Sequence, residues 1–168
     1  MTVSTQQPIQ LLDITAEIED LLRDARVEDG MVTVFSRHTT AAVRIQEDEP
    51  LLMEDFEAFL SDLAPTARSY RHNDFGVRTQ HMHPDERPNG HAHCLQLLLG
   101  STESVPVFGG KLQLGAWQRL FLVELDGPRP AREVMVSIFG TAQPAVLHWP
   151  TPVARASQRP AMTAVGAR

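Results

Sequence analysis

The sequence predicts an α+β fold built mainly from antiparallel strands. Runs of apolar and β-branched residues recur at strand length, as in MVTVFS at 31–36 and TTAAVRI at 39–45. A Gly109-Gly110 pair joins SVPVF (104–108) to KLQLG (111–115), a strong hairpin signal. Two longer segments instead repeat their apolar residues at helical spacing, with residues that start and stop helices at their ends.

Taken in order, residues 7–14 read as a first strand leading into a helix. Thr15 is the expected N-cap, with Glu17 and Glu19 in the first turn. Ile14, Ile18, Leu21, Leu22 and Ala25 follow helical spacing, and Gly30 ends the segment. The strands at 31–36 and 39–45 come next. A second helix starts at Pro50, which suits the first helical position. Its apolar face is Leu51, Leu52, Phe56, Phe59, Leu60 and Leu63, and Pro65 follows its end. Residues 66–90 are polar and irregular, and a loop of that length inside a domain is often functional. HAHCLQLLLG (91–100) reads as a helix capped by Asn89 and closed by Gly100. After the hairpin, WQRLFLVEL (117–125), the turn DGPRP (126–130) and REVMVSIFG (132–140) complete the strands.

At 168 residues the chain is expected to form one domain, over residues 1–140. From Thr141 onward it holds four prolines and seven alanines and no acid, a composition expected of a mobile tail. Net charge is −6, so bulk attraction to nucleic acid or an anionic membrane is not expected. An anionic substrate would need local arginines or backbone N–H groups. The single cysteine, Cys94, excludes an internal disulfide and fits a reducing cytoplasm. The first residues show no leader-like basic and apolar regions, and no apolar run reaches the length of a membrane span.

Histidine is the most pointed feature. Five of seven fall between His72 and His93, including the H-x-H pairs His81/His83 and His91/His93, and His38 lies in SRHTTA between two strands. Imidazole is the commonest metal ligand and titrates near neutrality. On a strand an H-x-H pair shares a face. On a helix its members lie roughly 200° apart and cannot act together. Carboxylates 47–49 precede a helix, where the dipole alone favours them.

Read together, GMVTVFSRHTTAAVRIQEDE (30–49), YRHND (70–74), NGHAHCLQLLLGSTESVPV (89–107), GKLQLGAWQRLFLVELDGPRPAREV (110–134) and SIFG (137–140) resemble one family, the YjbQ-like proteins, also called the secondary thiamine-phosphate synthase family. The resemblance implies an antiparallel β-sandwich flanked by helices and a homotrimer. It also implies an enzyme joining a thiazole phosphate to a pyrimidine methyl diphosphate, as a secondary activity. On that basis His38, His91 and His93 are the expected metal or anion site, with Zn or Mg as the divalent ion and Glu47 as ligand or base. Arg37, Ser101 and Arg129 are expected to contact phosphate, and Trp117 to wall the pocket. Gln46, His91 and Ala116 depart from the commoner Asn, Asp and Thr. The change at 91 favours Zn²⁺ over Mg²⁺ by ligand preference. It also leaves open a metal-dependent hydrolase of a small phosphorylated molecule, or a trimeric metal- or ligand-binding protein without turnover.

Overall fold

The computed structural model describes residues 1–142. The elements run β1 (Thr2–Thr5), β2 (Gln10–Asp13), α1 (Thr15–Ala25), β3 (Val27–Ser36), β4 (Ala41–Glu47), α2 (Pro50–Leu63), α3 (Gly90–Leu99), β5 (Thr102–Phe108), β6 (Lys111–Leu112), β7 (Gln118–Glu124) and β8 (Arg129–Ala142). All strand pairs are antiparallel. Five strands form one sheet in the order β1-β8-β3-β5-β6, and three form another in the order β2-β7-β4. The fold is therefore the expected sandwich with helices. The tail expected from residue 141 lies outside the described residues beyond Ala142.

The pleat of β7 explains the layering, because alternate side chains point to opposite faces. Leu120 and Leu122 enter a core shared with Val32 and Val34 of the facing sheet and with Ile14, Ile18 and Leu22 beside α1. Phe121 and Val123 enter a second core with Leu60 of α2 and Ala92 and Leu95 of α3. The three-stranded sheet is thus buried on both faces. The outer face of the five-stranded sheet is not covered: Met31 opposes Phe139 and Phe35 opposes Met135, and all four are exposed.

Several local expectations need correction. Thr15 is not an N-cap. It is the first helical residue, its N–H donates to Asp13 Oδ1, and its Oγ1 accepts from Leu120 N–H at 2.8 Å, tying α1 to β7. Gly30 does not end α1, which stops at Arg26 in the left-handed region; β3 begins at Val27 and runs through Gly30. A Cβ at Gly30 would lie 1.9 Å from the Phe139 carbonyl oxygen, so glycine lets β3 and β8 close. Leu21, Leu51, Phe59 and Leu63, expected in the core, are exposed. Their spacing is helical, but in one chain nothing covers that side. Strand β1 was not anticipated. Pro50 begins α2 as expected, with Glu49 as the cap: its carboxylate accepts from Leu51 N–H and Leu52 N–H.

Candidate functional site

The site is built around two carboxylates in the segment VELDGPR. Glu124 closes β7 and is fully buried, and Asp126 follows it, also buried. Arg132, buried on β8, donates from Nε to Glu124 Oε2 at 2.7 Å and from Nη2 to Oε1 and to Thr40 Oγ1. Thr5 Oγ1 donates to Oε2, and the backbone N–H groups of Leu125 and Asp126 both donate to Oε1. Burial would raise the Glu124 pKa, but Arg132 and these donors together hold it below the usual carboxylate range.

Asp126 carries the second half of the network. Arg87 donates from Nε to its Oδ1 at 3.1 Å, Arg129 from Nη2 to Oδ2, and Asn89 from Nδ2 to Oδ2 at 3.2 Å. Arg87 and Arg129 also both bind the Asp126 carbonyl oxygen. Asn89 thus spends its amide on Asp126 instead of capping α3, and its Oδ1 is buried with no partner. Asn73 takes over at the start of α3, its Oδ1 accepting from Asn89 N–H and Gly90 N–H. Arg87, Asn89 and Arg129, with His83, Asp85 and Glu86, line a polar cleft of about 300 Å³.

The helical start at Gly90 separates the second H-x-H pair. His91 is buried and faces a pocket between α2 and the β1–β2 connection, which Glu54 and Glu57 also line. Its ring hydrogen-bonds the Leu125 backbone carbonyl; burial lowers its pKa, with Asp126 opposing. His93 instead meets His72 edge-on, ring centroids 4.5 Å apart, and burial with the His72 neighbour lowers its pKa. The Arg78–Glu86 pair, 2.8 Å apart, fastens the loop beside them.

A family model described as UPF0047 protein YjbQ-like matches residues 1–141. The chain belongs to the YjbQ-like UPF0047 family. Among its relatives, a UPF0047 protein of Methanothermobacter thermautotrophicus is 36% identical over 140 residues, spanning 83% of this chain and 90% of the relative. A crystal structure of a YbjQ-like protein of unknown function from Sulfolobus solfataricus superposes with a TM-score of 0.75 at 36% identity, over 84% of this chain and 94% of that one. A hypothetical protein from Aeropyrum pernix gives 0.73 at 37% identity, over 84% and 96%.

In this YjbQ-like chain the residues singled out from sequence fall into separate places. His38, His91 and His93 do not gather: among the described residues no three His, Cys, Asp or Glu side chains form a group able to hold a metal ion. His38 Nε2 accepts the Glu133 N–H at 2.7 Å, which pins the end of β3 to β8 and occupies that ring nitrogen. The residues of one chain therefore do not fit the expected ion, and no chemical step is assigned to it. Arg37 pairs with Glu133 at 2.5 Å beside His38. Ser101 lies past the far end of α3, about 15 Å along the helix from His91 by helical rise, with Oγ accepting from Gln96. Glu47 ends β4, partly exposed. Trp117, expected to wall the pocket, is 73% exposed in the turn before β7 and lines neither the Asp126 cleft nor the His91 pocket. Arg129 alone of the predicted phosphate contacts lies at the Asp126 cleft. Glu124, Asp126 and Arg132 were missed, although a carboxylate inside the apolar run LFLVEL is a sequence sign of a buried, paired charge.

No helix among the described residues is long and apolar enough to cross a membrane.

Proposed function

We propose that this protein acts on small phosphorylated molecules as a transferase of thiamine-phosphate-synthase type, a secondary activity that joins a thiazole phosphate to a pyrimidine methyl diphosphate. The cleft at Asp126 carries this reading. Arg87 and Arg129 converge there on the Asp126 carboxylate, with Nη1 of each unused in those bonds, while the other carboxylates at the cleft are already engaged, Asp85 by His83 and Glu86 by Arg78. Guanidinium is the side chain best shaped to take phosphate oxygens.

The chemistry asks little else of the protein. The C–O bond between the methylene and the diphosphate breaks, and the diphosphate leaves with the electron pair. The thiazole nitrogen supplies the pair for the new C–N bond and becomes cationic without losing a proton, so no general base is required and Glu47 has no proton to take. Rate then depends on stabilising charge on the leaving group and on holding the two partners together.

The uncovered sheet face of Met31, Phe35, Met135 and Phe139 and the exposed helix residues Leu51, Phe59, Leu97 and Leu98 support a homotrimer, since apolar patches of this kind mark interaction sites. Exposed, unpaired Cys94 supports a cytoplasmic location.

The test is thiamine phosphate formation by purified protein given both precursors and Mg²⁺, with Arg129→Gln as the control. Product above that control is expected. Product equal to it would overturn the transferase reading, and ligand-dependent melting without product would replace it with a binding protein.

A further inference from the structure

The loop after α2 and the start of α3 enclose a second pocket, of about 420 Å³, which shares no lining residue with the Asp126 cleft. Its lining includes Arg68, Arg71, His72 and His93, with Leu63 and Tyr70 as apolar wall, and contains no carboxylate. This is unusual for a chain of net charge −6. Eight arginines of the described residues have a carboxylate within 4.0 Å. Of the other three arginines among the described residues, Arg26, Arg68 and Arg71, the last two both sit at this pocket. The acidic groups acting on His93, Asp126 and then Glu86, are already paired with arginines, Asp126 with Arg87 and Arg129 and Glu86 with Arg78.

The pocket is also built, not merely open. Tyr70 OH donates to the Pro65 carbonyl at 3.0 Å, fixing the loop. A Cβ at Gly90 would lie 2.6 Å from Tyr70 Cβ, so glycine lets the tyrosine lie directly against the helix start. His72, which lines the pocket, keeps its Nε2 buried with no hydrogen-bond partner, a cost that a ligand oxygen reaching it would relieve.

We propose that this pocket is an anion subsite, taking the phosphate or diphosphate of an organic ester on Arg68, Arg71, His72 and His93 while Leu63 and Tyr70 receive the organic group. The inference rests on the transferase reading only in assigning that ligand to one of two phosphorylated substrates. The Asp126 cleft then holds the other: Asn89 lines that cleft and the adjoining Gly90 lines this one. A reaction of two phosphorylated partners needs two such subsites, close enough for the organic groups to meet.

The test is calorimetric titration of the full chain with inorganic diphosphate, at fixed ionic strength, for the wild type, Arg68→Gln/Arg71→Gln, Arg87→Gln/Arg129→Gln and Arg23→Gln. Arg68 and Arg71 are exposed, so unchanged circular dichroism and melting are expected for the first variant. Its diphosphate affinity at this pocket should fall about tenfold or more, as loss of two cations beside an anion implies. Arg87→Gln/Arg129→Gln and Arg23→Gln should leave that binding event in place. The imidazole NMR signals of His72 and His93 should shift on diphosphate addition to the wild type, and not in Arg68→Gln/Arg71→Gln. Affinity within twofold of wild type in that variant, or unmoved His72 and His93 signals, would overturn the subsite. Diphosphate bound here without thiamine phosphate formation would overturn the transferase reading and leave the subsite standing.

Discussion

Replacing Arg132 with methionine tests whether the Glu124 network supports the whole sandwich. The arginine is 5% exposed and Glu124 is 0% exposed, so the substitution leaves a carboxylate in a dry interior without its cation. Three donors remain, from Thr5 Oγ1, Leu125 N–H and Asp126 N–H, but none carries charge. Breaking one partner of a buried pair costs about 3–5 kcal/mol. At roughly 2–4 °C per kcal/mol for a chain of this size, the melting temperature should fall on the order of 10 °C. The Arg132→Met/Glu124→Gln double variant removes both charges. Its amide oxygen can still accept from the two backbone N–H groups, so more than half of the lost stability should return. Urea unfolding followed by circular dichroism, at one protein concentration, measures Arg132→Met, Glu124→Gln and the double variant. A loss below about 1 kcal/mol for Arg132→Met, or a double variant as unstable as the sum of the singles, would refute the assignment.

Acidification gives an independent check. His38, His91 and His93 are all held below the ordinary histidine pKa, chiefly by burial. As pH falls below about 6.5 the unfolded chain takes up these protons first, so stability present at pH 7.5 should be lost towards pH 5.5. Below about 4.3 the depressed Glu124 pKa adds a second loss. The urea midpoint should track both steps, His91→Gln should show a smaller first step, and a midpoint that rises on acidification contradicts the sign. Gly30→Ala should destabilise by about 2 kcal/mol or more, because its Cβ meets the Phe139 oxygen. Gly110→Ala meets only ordinary contacts, none nearer than 3.9 Å, at φ +70° and should cost only about 1–2 kcal/mol; equal losses in unfolding titrations would deny the close β3–β8 approach. His38→Ala removes the acceptor for Glu133 N–H and should cost about 1 kcal/mol, while diphosphate affinity by calorimetry changes less than twofold. A larger change would return His38 to the binding site.

The strands from 31 to 140 are legible in the sequence because their apolar content and turns are local properties. Strand β1 is not: TVST has little to bury, and it is a strand because Thr2, Val3 and Thr5 pair with β8 more than a hundred residues away. Helix α2 shows the converse limit. Its apolar period predicts the helix correctly, yet Leu51 and Phe59 face outward, because periodicity reports that a face is apolar and not what covers it.

The histidines follow the same logic, and their separation is the step with most consequence for function. Once NGHAH is placed on a helix, His91 and His93 must diverge, and the structure sends them to different pockets. What no spacing rule reveals is the partner each one finds. His93 meets His72 from the 3₁₀ turn at Arg71–Asn73, and Asn89 turns to Asp126 because Asn73 takes its place at the helix start. One asparagine from YRHND therefore frees another for the Arg87–Asp126–Arg129 knot. An Asn73→Ala variant should strip α3 of its cap acceptor, costing about 1 kcal/mol, and should weaken diphosphate binding at both pockets together, since the start of α3 is their common wall.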